Sequence, residues 1–110
     1  MTHGTIQKIV DSYFLNYQCP ITKGYHNAKA CIIEFIFKRC EDFLTIGELN
    51  ADELYAPIEL KCKLKMGTVE KRIRDFISVS WHLFPNLFEK RPSNYEFIVK
   101  LAETISLELE

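Results

Sequence analysis

Residues Met66–Phe84, MGTVEKRIRDFISVSWHLF, carry an apolar helical repeat behind a charged front. Val69, Ile73, Phe76 and Ile77, followed by Ser80, recur at the three- and four-residue spacing that gathers side chains on one side of an α-helix. Thr68, Lys71, Arg72, Arg74 and Asp75 point in other directions, so the helix has a back suited to a core and a polar front. Trp81 continues the apolar face and is expected to pack rather than to contact a ligand. Pro85 limits the stretch, because the residue before a proline is pushed out of helical geometry.

Upstream, Asn50-x-x-Glu53 has the form of a helix start, with an amide able to accept a backbone N–H and a carboxylate near the positive end. Leu54, Ile58 and Cys62 then share one face. Only Lys63–Gly67 separates this helix from the next, which outlines a helix-turn-helix.

The flanks are helical too. Ile6, Ile9, Val10, Tyr13 and Phe14 predict a first helix over roughly Thr5 to Asn16. After Pro20, Tyr25, Ala28, Ile32, Phe35 and Ile36 repeat the pattern, with Ile33 and Phe37 broadening it into the surface of a central, buried helix. Leu83, Phe84, Leu87 and Phe88 suggest a short helical or turn segment on the core. Ser93-x-x-Glu96 resembles a capping box, and Phe97, Ile98, Leu101 and Ile105 carry a last helix to about Leu107. No segment alternates with period two, so the expected class is all-α, one compact domain over residues 1–110.

The chain has 110 residues, 47% hydrophobic and 13% aromatic, enough to bury one core and too few for a second domain. Tyr13, Phe14, Phe35, Phe37, Phe76, Trp81, Phe84 and Phe97 fall on the apolar stripes and are read as packing, not as stacking platforms. The formal charge is only −1, but between Lys61 and Arg74 six basic residues (Lys61, Lys63, Lys65, Lys71, Arg72 and Arg74) stand against Glu70 alone. That segment is +5 and the remainder −6, an asymmetry that sets one face toward an anionic partner.

Cys19, Cys31, Cys40 and Cys62 form no C-x-x-C pair and have no histidine at zinc-ligand spacing; they read as reduced, mostly buried small hydrophobes. Met1–Gly4 is polar, and Lys8 and Asp11 interrupt the apolar positions after it, a pattern that predicts no signal peptide. The apolar-rich run Ala28–Phe37 contains Lys29 and Glu34 and is too short to span a bilayer. A bacterial cytoplasm and no membrane partner are expected. His3, His26 and His82 lie far apart without a nucleophile or metal partner, and no phosphate loop, dinucleotide fingerprint or H-E-x-x-H occurs. Neither an enzyme nor a cofactor is expected.

A helix that enters the major groove of DNA needs an apolar back and a polar front whose N-terminal side chains reach base edges. Met66–Phe84 supplies both. Arg can donate two parallel hydrogen bonds to guanine, so Arg74 is the leading candidate for base readout. Lys61, Lys63, Lys65, Thr68, Glu70, Lys71 and Arg72 complete the candidate set.

At these residues the chain resembles the C-terminal effector domain of the stage-zero sporulation response regulator of endospore-forming bacteria. Tyr55–Trp81, YAPIELKCKLKMGTVEKRIRDFISVSW, lines up without a gap with that family's core, keeping Tyr55, Ile58, Lys61, Val69, Glu70, Ile73, Arg74, Ile77, Val79 and Trp81. Lys23–Tyr25 (KGY) and Pro92–Ile98 (PSNYEFI) resemble further family signatures in the expected order.

The resemblance implies a six-helix domain of the winged-helix-like class that regulates transcription by binding short promoter boxes. The helix from Gly67 would lie in the major groove, with neighbouring copies or a homodimer cooperating on DNA. A surface for RNA polymerase is a further candidate contact. Glu70 and Arg74 match family positions directly, whereas Lys71 replaces an arginine and keeps the charge without the bidentate fork. Thr68 also stands where the family has arginine, and Asp75 where it has histidine. Glu59 and Lys63 stand where the motif usually has a small and a turn-permissive residue, and a left-handed Lys63 costs about 1 kcal/mol relative to glycine.

With Met1 so close to the effector-like region, the chain is expected to lack the phosphorylated receiver of the full-length regulators. It is expected to be either an excised fragment or a stand-alone protein, and if it stands alone, dimerisation or expression level would control it. The competing expectation is an interaction module that keeps the fold, has lost specific DNA binding, and pairs with the full-length regulator. Its support is the altered front of the helix and the acidic end, where Glu96, Glu103, Glu108 and Glu110 face Lys100 alone.

Overall fold

Thr2 starts the first helix: its hydroxyl accepts the Thr5 amide at 3.3 Å, satisfying one of the amides that a helix leaves without an internal partner. The computed structural model describes residues 2–42, 55–56, 58–60, 63–84 and 86–108, without the side chains of residues 39–42. Helix α1, His3–Asn16, therefore begins two residues before the expected start at Thr5. It buries Ile6, Val10, Tyr13 and Phe14. It ends where Gln18 turns left-handed (φ 54°), with the Gln18 amide on the Leu15 carbonyl at 3.0 Å and that of Cys19 on the Phe14 carbonyl at 3.3 Å. Those are the two closing bonds of a Schellman motif, with glutamine in the place usually taken by glycine.

Thr22 opens α2, Lys23–Asp42, by accepting the Tyr25 amide at 3.3 Å on its hydroxyl. This helix contacts each of the other long helices, as expected of the central one. Tyr25, Ala28, Cys31, Ile32, Phe35 and Ile36 are buried along it. On the side toward α1, Lys29 pairs with Asp11 at 2.5 Å and lies 4.7 Å from the centre of the Tyr25 ring.

Residues 55–56 and 58–60 are helical and bury Tyr55 and Ile58. The helix start expected at Asn50–Glu53, together with Leu54, Lys61 and Cys62, lies outside the described residues, as does the Cys40 side chain. Lys63 is left-handed (φ 54°), and Lys65 leads into α3, Met66–Ser80. No side chain caps this start; the Lys65 carbonyl accepts the amides of Thr68 and Val69 at 3.0 and 3.1 Å.

The stretch expected as helix to Phe84 divides at Ser80: α3 stops there, and Trp81–Leu83 tightens into a 3-10 turn. The Ser80 hydroxyl turns back onto the Phe76 carbonyl at 2.7 Å, and Phe84, which precedes a proline, is extended. Trp81, Leu87 and Phe88 are part-buried against the core. Helix α4, Asn94–Glu108, begins at the expected cap, with the Glu96 amide donating to the Ser93 hydroxyl at 3.1 Å. It buries Phe97, Ile98, Val99, Leu101, Ala102 and Ile105.

The protein is all-α, with no strand among the described residues. Its centre is aromatic. Phe14 of α1 stacks on Phe76 of α3 at 5.9 Å, and Phe76 meets the edge of Phe97 of α4 at 6.1 Å. Tyr25 of α2 meets Phe14 and Phe76 edge-on, while Phe84 lies 5.7 Å from Phe97. Each such pair adds about 0.5–1.5 kcal/mol beyond area burial, so this cluster sets how the helices face one another. The aromatics of the apolar stripes are thus packing residues. Cys19 and Cys31 are buried free thiols.

Candidate nucleic-acid interface

The back of α3 (Val69, Ile73, Phe76, Ile77 and Ser80) is buried, which fixes the direction of its front. Successive helical residues turn by about 100°. The front therefore runs in an arc from Glu70 and Arg74 through Gly67 and Lys71 to Asp75, Thr68 and Arg72. All of these are exposed except Arg72, which is half-buried.

Lys71 and Asp75 lie one turn apart in the arc and approach to 3.7 Å, with both side chains about two-thirds exposed or more. A surface pair of this kind is worth about 0.3–0.5 kcal/mol and does not hold the lysine rigidly. It does offset the lysine charge at the middle of the front. The Arg74 carbonyl accepts a hydrogen bond from Arg91 Nη2 at 3.2 Å. Asn94 Nδ2 likewise donates to the Glu70 carbonyl at 2.9 Å. The two contacts tie the loop before α4 and the first residue of α4 to the backbone of α3.

Two clefts flank this front. The first is about 530 Å³ and lies between the start of α2 and α3, lined by Thr22, Lys23, Gly24, Thr68, Lys71 and Arg72 among others. The second is about 560 Å³ and lies between α3 and the loop before α4, with Glu70 and Arg74 facing Arg91, Ser93 and Asn94, and Tyr55 at its base. The Tyr55 hydroxyl is pushed above its ordinary pKa by burial, an effect partly offset by a hydrogen bond with Asn94.

Of the residues singled out by sequence, Thr68, Glu70, Lys71, Arg72 and Arg74 form one continuous surface. Lys63 and Lys65 are exposed on the connection leading into it. Lys61 lies outside the described residues. Lys23 and Arg91 join the surface although neither belongs to the basic stretch. No local spacing in the sequence marks them; only through the resemblance do they stand out, Lys23 as the first residue of KGY and Arg91 directly before PSNYEFI.

The histidines stay apart from this surface. His3 Nε2 lies 3.0 Å from Glu34 Oε1 and its ring stacks on Phe37 at 3.7 Å; His26 meets the edge of Tyr25. Among the described residues no group of three or more His, Cys, Asp or Glu could hold a metal ion, and no helix is long and apolar enough to cross a membrane. No family model, no curated protein and no solved structure matches the chain.

Proposed function

We propose that the chain binds double-stranded DNA with sequence preference, acting in the bacterial cytoplasm as a transcription regulator similar to the sporulation effector domain. In this reading the helical residues 55–56 and 58–60, the connection through Lys63 and α3 make a helix-turn-helix, within a domain that the resemblance gives as six helices. The observation that carries the proposal is the left-handed Lys63, three residues before α3, whose apolar back is sealed in the core while Thr68, Lys71 and Arg74 face outward. A left-handed residue at the turn lets the second helix cross the first, and the sealed back leaves the front for a groove.

Arg74 reads bases and Lys63 and Lys65 meet phosphates. Glu70, at the edge of the same face, can accept from a cytosine amino group. Homodimers or neighbouring copies on adjacent boxes would supply cooperativity.

Selection from a random duplex pool tests the proposal and defines a preferred site. Arg74→Ala should then cost about 1–3 kcal/mol on that site and flatten base preference, whereas Lys63→Ala should weaken every duplex alike. Failure to enrich any sequence, or equal losses on selected and random DNA for both variants, overturns it.

A further inference from the structure

We infer that Lys23 and Arg91 are a pair of phosphate clamps, one for each DNA strand bordering the groove that α3 enters. This rests on the DNA-binding reading above and assigns residues that neither the basic stretch nor the resemblance supplies with a role.

A helix with its side chains is about 10–12 Å across, and the major groove of B-DNA is about 12 Å wide. A helix seated there fills it, so protein groups beside the helix meet the two strand backbones. The two clefts of this protein lie in those places. Thr68, Arg72 and Asp75, which line the first, are on one flank of α3; Glu70 and Arg74, which line the second, are on the other.

Each cleft has a cation contributed from outside α3. Lys23 is exposed at the start of α2, and with Lys71 and Arg72 against Asp75 the first cleft is cationic. Arg91 is exposed in the loop before α4, and with Arg74 against Glu70 the second is cationic as well. Both outer cations sit on segments fixed to α3. Gly24, next to Lys23, packs against the Arg72 backbone, and Arg91 donates to the Arg74 carbonyl at 3.2 Å. Arg91 has further N–H donors beyond the one used there, enough for a phosphate. The clamps thus keep a set position relative to the reading face.

The test is the salt dependence of duplex binding. Neutralising one phosphate contact lowers the slope of log affinity against log salt by about 0.9 and affinity roughly eightfold at ~0.1 M salt. Lys23→Ala and Arg91→Ala should each do this equally on selected and random duplexes, with base preference intact, and the double variant should lose about 1.8 from the slope. Arg91→Lys keeps the charge and should restore most of the slope, which separates a phosphate contact from a purely structural tie to α3.

Unchanged slopes in both alanine variants, with wild-type binding intact, overturn the clamps and leave the DNA-binding reading standing. Altered base preference in either variant also overturns them, since it would make that residue a base reader. Absence of salt-dependent duplex binding by the wild-type chain overturns both.

Discussion

Gly24 lies against the carbonyl oxygen of Arg72 so closely that a Cβ on residue 24 would overlap that oxygen and crowd the Phe76 Cβ. The start of α2 thereby rests on the backbone of α3 at Arg72 as well as on the Phe76 side chain. Gly24→Ala should force the two helices apart, since a backbone carbonyl cannot rotate away as a side chain can. A loss of about 3 kcal/mol is expected, at the upper end for overpacking, read as a lower urea midpoint. A midpoint equal to wild type would show that the contact yields freely.

Lys63 and Gln18 are both left-handed without being glycine. Lys63→Gly should raise stability by about 1 kcal/mol in thermal or urea unfolding, because glycine enters this region without a Cβ clash. If Lys63 also meets phosphate, the same variant should bind all duplexes more weakly. Stability and affinity would then move in opposite directions, an outcome that a purely structural residue would not give.

Asp75 sets a carboxylate beside Lys71 on the front of α3. Asp75→Asn should strengthen binding to selected and random duplexes alike by several-fold, by removing repulsion from phosphates and releasing the lysine charge. Stability should change by no more than about 0.5 kcal/mol, since the pair is exposed. Weaker binding to every duplex would mean that the carboxylate serves to orient Lys71.

Burial pushes the Cys31 thiol up to about 12 and the Cys19 thiol up to about 11, from an ordinary 9.0. Because both acids hold their protons longer in the folded chain, their contribution to stability is complete below pH 9 and is lost as pH rises through the folded values. Stability should therefore decline between about pH 9 and 12, and Cys31→Ala should decline less steeply over that range even though the shortened side chain lowers stability at neutral pH. At neutral pH both thiols should react with a thiol reagent only as fast as the chain opens.

The four long helices were legible from residue spacing because each buries a stripe at helical period: Ile6 to Phe14, Tyr25 to Ile36, Val69 to Ser80 and Phe97 to Ile105. Local chemistry also located the α4 cap at Ser93. The details it missed are at helix ends. The α1 start depends on whether Thr2 folds its hydroxyl back, and the α3 end on where Ser80 bonds, choices of a single side chain with small energies.

The order of residues alone dictates the all-α class and which side of α3 faces outward, since hydrophobic burial follows from the spacing of apolar side chains along one helix. It also marks Lys63, Thr68, Lys71 and Arg74 as candidates, because charge and spacing are local. The company that front keeps is a property of the folded chain. Lys23 arrives because Gly24 lets α2 rest on the Arg72 backbone, and Arg91 because its guanidinium reaches the Arg74 carbonyl. Contacts between residues so distant along the chain leave no period to read; they exist only once the aromatic core has set the helices against one another.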